Sequence, residues 1–328
     1  MPSGPASAAG KEVAMLFISE EESATLVTHD LAFTAAWEAL IAACDEATAS
    51  FPVVLGHGSS TNNRFSVKAA ATVELAGLKV GSYWPGNRDL GLSRHNSLIL
   101  LFDQDTGRIG TAMEAGTVNA YRTAAADAVA ADQLARRDAE TLAIFGAGHQ
   151  ARYECMALAR VRSLRRVMIV ARNGEQAEEM RSALRQHGLN AEVAAPQNAC
   201  AEADIIVTAT SSRAPLFEAD WVRPGTHVAS MGSDARGKQE LPPALFARGD
   251  LFCDLPEQAR SIGEFQHAAP DLEVTALGDV LAGRRPGRSS DSAITIFDSS
   301  GLSLQDLYIA RHLLAKRGAH ETPLSANN

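Results

Sequence analysis

The sequence predicts an α/β protein in which a doubly wound parallel sheet is joined to a second, β-rich unit. Three observations carry that prediction. Apolar, β-branched runs recur at 141–145, 166–171, 204–209, 226–230, 250–253 and 293–297. They are bounded by Gly, Pro and Asp and show no polar alternation, the pattern of strands buried on both faces of a parallel sheet. The first run enters a Gly-x-Gly-x-x-Ala turn, Gly146-Ala-Gly148-His-Gln-Ala151, followed by a helix-forming stretch. Upstream, residues 51–109 consist of short strand-like runs separated by turn signals at 56–58, 62–63, 85–87 and 105–107, the signature of a separate β-rich region.

Taken in chain order, residues 1–14 are rich in Ser, Ala, Gly and Pro and lack a long apolar stretch. They are expected to form a disordered lead-in rather than a signal peptide or membrane span. Leu16-Phe17-Ile18 precede a capping-box pattern, Ser19 with Glu22 three residues on. A helix is expected over 28–49, where Phe33, Trp37, Leu40, Ile41 and Cys44 fall at helical spacing. An Ala-rich helix over 117–135 is placed to connect the two units. A polar-faced helix follows over 173–187, and a closing helix over 303–317 carries Leu304, Leu307, Tyr308 and Leu314 on an apolar stripe. The tail from Ala319 is expected to be loose. The resulting division assigns 15–125 and 303–320 to a substrate and dimerisation domain, and 126–302 to a dinucleotide-binding domain.

Composition narrows the function. The chain has 328 residues, 46% of them hydrophobic and 5% aromatic, and a formal net charge of −9. That length suits two domains, and the acidic balance argues against a nucleic-acid partner. Cys44, Cys155, Cys200 and Cys253 lie far apart without a Cys-x-x-Cys pair, so neither a zinc site nor a disulfide framework is indicated and a cytoplasmic setting is expected.

The turn at Gly146 points to a dinucleotide. Gly146 permits a tight bend, Gly148 lets the backbone approach a pyrophosphate, and Ala151 allows close packing of helix on strand. The helix N-terminus then offers amide donors and a favourable dipole to the phosphates. At the end of the second strand, where an NAD-specific pocket normally places Asp or Glu, this chain has Val170-Ala171-Arg172-Asn173. Arg172 is able to pair with a 2′-phosphate, which favours NADP over NAD and leaves both open.

Several segments, in order along the chain, resemble the ornithine cyclodeaminase and mu-crystallin family: 77–84 (GLKVGSYW), 100–107 (LFDQDTG preceded by Leu100), 120–125 (AYRTAA), 146–150 (GAGHQ), 224–227 (PGTH), 231–234 (MGSD) and 297–302 (FDSSGL). The resemblance implies a Rossmann-type nicotinamide-binding domain. It also implies a β-rich domain, built from the N-terminal segment and the C-terminal helix, through which two chains pair as a homodimer. The family chemistry is hydride exchange at a carbon that bears nitrogen and adjoins a carboxylate.

By the same resemblance, Lys79 is the substrate lysine. It would hold a carboxylate and, if desolvated to a lower pKa, exchange a proton with the substrate nitrogen. Arg122 would clamp the carboxylate with its planar guanidinium and adjoin the cofactor. Asp234 is the acid that meets the substrate amino group. His149 and Gln150 would sit against the pyrophosphate, with Thr210 and Ser211 after the third strand. Val228, Ser230, Met231 and Ser299, with Ser300 and Gly301 on the substrate side, would line the nicotinamide end. Arg94 falls near the cofactor, and His95 reads as a structural histidine.

Two departures bear on the substrate. Where relatives carry an arginine after Phe51-Pro52-Val53, this chain continues Val54-Leu55-Gly56-His57; where ornithine cyclodeaminases place a glutamate for the distal amine, it has Ser66-Val67-Lys68. A cation cannot hold a distal ammonium but is able to hold a second carboxylate. The expected activity is therefore NAD(P)-dependent reduction of a small imino acid or dehydrogenation of the amino acid, with a dicarboxylic substrate indicated if Lys68 points inward. The alternatives are a true ornithine cyclodeaminase, forming proline and ammonia, and a non-catalytic crystallin-like binder of nucleotide. Lys79 and Asp234 are both present, which favours an enzyme.

Overall fold

The computed structural model describes residues 15–321, and the lead-in expected over 1–14 lies outside them. The first unit is a seven-stranded sheet. Its strands are β1 (Leu16–Ile18), β2 (Ala49–Ser50), β3 (Val54–His57), β4 (Arg64–Ala71), β5 (Ala76–Tyr83), β6 (His95–Phe102) and β7 (Ile109–Glu114). They run in the order β1-β7-β6-β5-β4-β2, with β3 also paired to β4. Only the β1–β7 pairing is parallel.

Helices α1 (Glu20–Leu26) and α2 (His29–Ala42) follow β1, and α3 (Gly116–Leu134) follows β7. The Ser19 hydroxyl accepts from the Glu22 amide, as the capping box requires, and Thr28 caps α2 in the same way through Leu31. The helix expected over 28–49 ends at Ala42. Asp45 there accepts from the Ala47 amide in an Asx turn, and Ala49–Ser50 joins the sheet as β2.

The second unit is an eight-stranded sheet, parallel throughout, formed by β8 (Thr141–Phe145), β9 (Arg166–Val170), β10 (Ala191–Val193), β11 (Ile205–Thr208), β12 (His227–Ser230), β13 (Gly249–Cys253), β14 (Val274–Ala276) and β15 (Ile294–Asp298). The order β10-β9-β8-β11-β12-β15-β13-β14 reverses direction between β8 and β11. That switch point opens the ligand crevice of a doubly wound sheet. The crossovers carry α4 (His149–Val161), α5 (Gly174–Gln186), α6 (Pro196–Glu202), α7 (Pro256–Ser261) and α8 (Leu277–Leu281). Three-residue β10 and β14 escape detection in the sequence because they are too short to show periodicity. The closing helix α9 (Ser303–Glu321) runs past Arg317 into the tail expected to be loose.

Helix α3 packs between α2 and α4 as one unbroken rod, so the division drawn at 125/126 falls inside a helix. Its alanines at 124, 128 and 131 are buried and allow this close approach. One apolar cluster runs from Ile18, Ile99 and Met113 through α3 into Leu142, Ile144 and Val167, so both sheets share a core. None of the described helices is long and apolar enough to cross a membrane.

Candidate functional site

The register of the first sheet sets the site. Ile18 faces Met113, Met113 faces Ile99, Ile99 faces Lys79, and Lys79 faces Lys68, so all five share one face. The first three are core residues at 0–1% exposure; Lys79 and Lys68 continue the row at 3% and 8%. Two lysines thus project inward, side by side, beneath α3 and α9.

The Lys79 ammonium donates to Asn119 Oδ1 at 2.8 Å and lies 3.2 Å from Asp306 Oδ2. Arg122 Nε is 3.2 Å from the other Asp306 oxygen. The guanidinium also donates from Nε and Nη2 to Asn119 Oδ1, at 3.3 and 2.8 Å, and from Nη1 to Gln305 Oε1 at 3.2 Å. Each terminal nitrogen therefore keeps one N–H for a two-pronged carboxylate clamp. Burial, then the Arg122 charge, push the Lys79 ammonium down to about 7, against the opposing pull of Asp306.

Lys68 points inward as well. Its ammonium donates to the carbonyls of Ser300 and Gly301, each at 2.8 Å, and among the described residues no carboxylate lies within ion-pair distance of it. Burial, reinforced by Arg122, lowers its pKa. The turn that receives it is held from behind. Asp254 accepts from the Gly301 amide at 2.7 Å and from the Ser299 hydroxyl, while Gln258 donates to Ser300 Oγ and Gly301 O. Gly301 has φ +76°, and a Cβ there would lie 2.7 Å from Arg122 Nη1, so this position excludes a side chain.

The nucleotide crevice lies at the carboxyl ends of β8, β11 and β12. Gly146 has φ +119°, and a Cβ on it would meet the Ala209 carbonyl at 2.8 Å; Gly148 has open space at the same position. Gly148 caps α4 without any side chain occupying the first amides, and Ala151 is fully buried below. Bend, open backbone and free helix terminus fit a pyrophosphate.

The other residues singled out in the sequence divide into two groups. Ser211, Arg94 and Arg172 are exposed, and Arg172 makes no hydrogen bond or ion pair among the described residues. The Thr210 amide and hydroxyl both donate to Glu240 at 2.7 Å, and the Ser230 hydroxyl donates to Glu240 and Glu264. These groups therefore shape the crevice floor. Ser299 is tied to it through its amide, which donates to the Ser230 carbonyl at 3.0 Å. Met231 is buried just after β12.

Three further residues have their side chains engaged within the protein. Gln150 does not aim its side chain at the crevice; it turns back to Glu154 at 2.7 Å and the Ala120 carbonyl at 3.2 Å, satisfying polar groups at the α3–α4 contact. Val228 lies inside β12 with its side chain in the apolar cluster of Ala143 and Ile206, because strand alternation points it away from the crevice. The His149 ring leans along α4 onto Tyr153, with centroids 4.8 Å apart.

Asp234, in the turn after β12, is more than half exposed and ion-paired with Lys238. Burial among protein groups pushes its carboxyl up, but Lys238, Lys68 and Arg122 outweigh that and hold it below the ordinary value. His95, its ring 4.7 Å from that of Tyr83, lies within the field of Asp234 and His149.

Asp306, Asn119, Gln305, Asp254 and Gln258 were not singled out in the sequence. Asn119 was within reach, since it precedes Arg122 by three residues on one helix and must share its face.

The sequence profile of the ornithine cyclodeaminase/mu-crystallin family matches residues 14–318. The chain is 40% identical over 306 residues to the iminosuccinate reductase of Paracoccus denitrificans, covering 90% of this chain and 95% of that protein. The crystal structure of that enzyme in complex with NAD+ superposes with a TM-score of 0.87 at 37% identity, covering 93% and 97% of the two chains. An archaeal alanine dehydrogenase dimer with bound NAD gives a TM-score of 0.87 at 31% identity over 94% and 97%.

Proposed function

The chain belongs to the ornithine cyclodeaminase/mu-crystallin family, and from that premise we propose that it is a nicotinamide-dependent reductase of a small imino acid bearing two carboxylates, of the iminosuccinate type. The observation that carries the reading is Lys68, a buried ammonium beside Lys79 and Arg122, held among the described residues by two backbone carbonyls. A buried charge without a counter-ion is unfavourable. A second substrate carboxylate supplies that counter-ion, whereas ornithine's distal ammonium would add to the repulsion.

In this reading Arg122 takes the α-carboxylate through its two unengaged N–H groups, and Lys68 takes the distal one. The substrate carbon is thereby fixed against the crevice that opens at Gly146 and Gly148. A reduced nicotinamide, when bound, supplies the hydride. Lys79 faces the substrate nitrogen: as the C=N π pair moves onto nitrogen, the Lys79 ammonium delivers the proton that completes the amine. A lysine titrating near 7 suits this, since it both gives and regains a proton at neutral pH. Asp234, within the field of Lys68 and Arg122, holds the amino product and its proton.

The cofactor is NAD(H), the form in the structures of the two relatives, and the unpaired Arg172 is the group that would admit NADPH. The protein forms a homodimer through the outer face of the seven-stranded sheet. There Phe17 and Val54 are 53% and 56% exposed, and Val67, Leu78, Val80 and Leu100 are only half-buried. A single-chain mass by light scattering would remove the dimer from this reading. A cytoplasmic setting accords with four unpaired cysteines, three of them buried.

Purified protein with NADH, ammonia and a panel of 2-oxo acids tests the function. The expected result is fastest turnover with oxaloacetate. Ornithine-dependent formation of proline without turnover of any imino acid would overturn it.

A further inference from the structure

We propose that Asp306, on the C-terminal helix, is a positioning residue that keeps the Lys79 ammonium charged and aimed at the substrate nitrogen, an assignment that rests on the reductase reading above. Its carboxylate is 1% exposed and bridges the two groups in question, 3.2 Å from Lys79 Nζ and 3.2 Å from Arg122 Nε. Neither oxygen receives a well-directed hydrogen bond among the described residues, so its two cation contacts are what hold it in place. On its own face of the helix, Ile309, Ala310 and Leu313, three, four and seven residues on, are fully buried, so the carboxylate is held among apolar side chains.

The surroundings of Lys79 show why an anion is needed. Its strand β5 is flanked by β4 and β6 and covered by α3 and α9. From β4 comes Lys68; from β6 the apolar Ile99; from α3 Arg122 and the neutral Asn119; from α9 Asp306 and the neutral Gln305. Two cations and one carboxylate therefore face the Lys79 ammonium. Burial, Arg122 and Lys68 all favour the neutral amine, and Asp306 is the charge that opposes them. Without it the amine would be uncharged at neutral pH and would have no proton to give. The same carboxylate, through Arg122 Nε, fixes the plane of the guanidinium that receives the substrate.

The test compares Asp306→Asn with the wild type in imine reduction, reading the ratio of kcat/KM at each pH so that the substrate's own equilibria cancel. Because the protonated lysine is the donor, activity falls as pH rises through the Lys79 pKa. In the wild type this limb lies at about 7. Loss of a contacting opposite charge moves it down by about one to three pH units. The expected outcome is activity within a few-fold of wild type at the acid end and a loss exceeding about tenfold above neutrality. Asp306→Glu, which keeps the charge, should retain the wild-type limb, and it serves as the deciding variant if the Asn protein does not fold. A uniform loss at every pH with an unmoved limb, or a Glu limb displaced like that of Asn, overturns the proposal. Lys79→Met separates the two levels: if it remains fully active, the reductase reading fails. If it is inactive while Asp306→Asn keeps the wild-type limb, only the assignment of Asp306 fails.

Discussion

Replacing Lys68 with methionine removes the distal charge while keeping most of the side-chain volume. In the folded protein the Ser300 carbonyl loses its donor, whereas the Gly301 carbonyl keeps Gln258 at 2.9 Å. One orphaned buried carbonyl costs about 1–3 kcal/mol, offset by no longer burying an ammonium without a counter-ion, so thermal stability should move little. Catalysis should not be so tolerant. Removing one partner of a buried charge pair costs about 2–4 kcal/mol, which is about 30- to 1,000-fold in kcat/KM for the dicarboxylic imine. A monocarboxylic imine formed from pyruvate never reaches Lys68, and its kcat/KM should stay within about threefold, a change of less than 1 kcal/mol. The assay is oxidation of NADH with ammonia and each 2-oxo acid in turn. An equal loss on both substrates would refute the reasoning, because Lys68 would then only hold the 300–301 turn.

Other perturbations read other parts of the site. Lys79→Met should lower kcat by about 10²- to 10⁴-fold, the usual contribution of a positioned acid. It should also flatten the pH dependence of stability: the folded lysine titrates near 7 against 10.5 unfolded, so the unfolded chain binds more protons between these values and wild-type stability must rise with pH there. Urea titrations across that window check the sign. Gly146→Ala forces a Cβ to 2.8 Å from the Ala209 carbonyl at φ +119°; a cost of about 1–3 kcal/mol and a weakened NADH affinity by fluorescence titration are expected. Arg172→Ala should leave kcat/KM with NADH unchanged and reduce that with NADPH by about tenfold or more, the worth of a lost charge-assisted contact. Equal effects on both would show that Arg172 does not read the 2′-phosphate.

The nucleotide half of the molecule was legible because its signals are local. Six of the eight parallel strands appear in the sequence as apolar runs, and the bend between β8 and α4 shows itself in two glycines with distinct steric reasons. The substrate half was legible only in pieces. Lys79 and Arg122 were indicated by the family resemblance of their segments, but nothing local says that Lys68 pairs directly with Lys79 across β4 and β5. Gln150 shows that a position at the start of α4 does not reveal the side chain's partner, which is buried Glu154.

By itself, the sequence determined the parallel sheet, the dinucleotide turn and the kinds of charge available for a carboxylate, since strand burial, helix termini and residue type are properties of short segments. Only the tertiary structure decided which charges meet. Lys68, Lys79, Arg122 and Asp306 are separated by up to 238 positions, from 68 to 306, and are brought together by cross-strand register and by the return of α9 onto the first sheet. Their protonation depends on burial and on one another. Neither exists until the chain is folded.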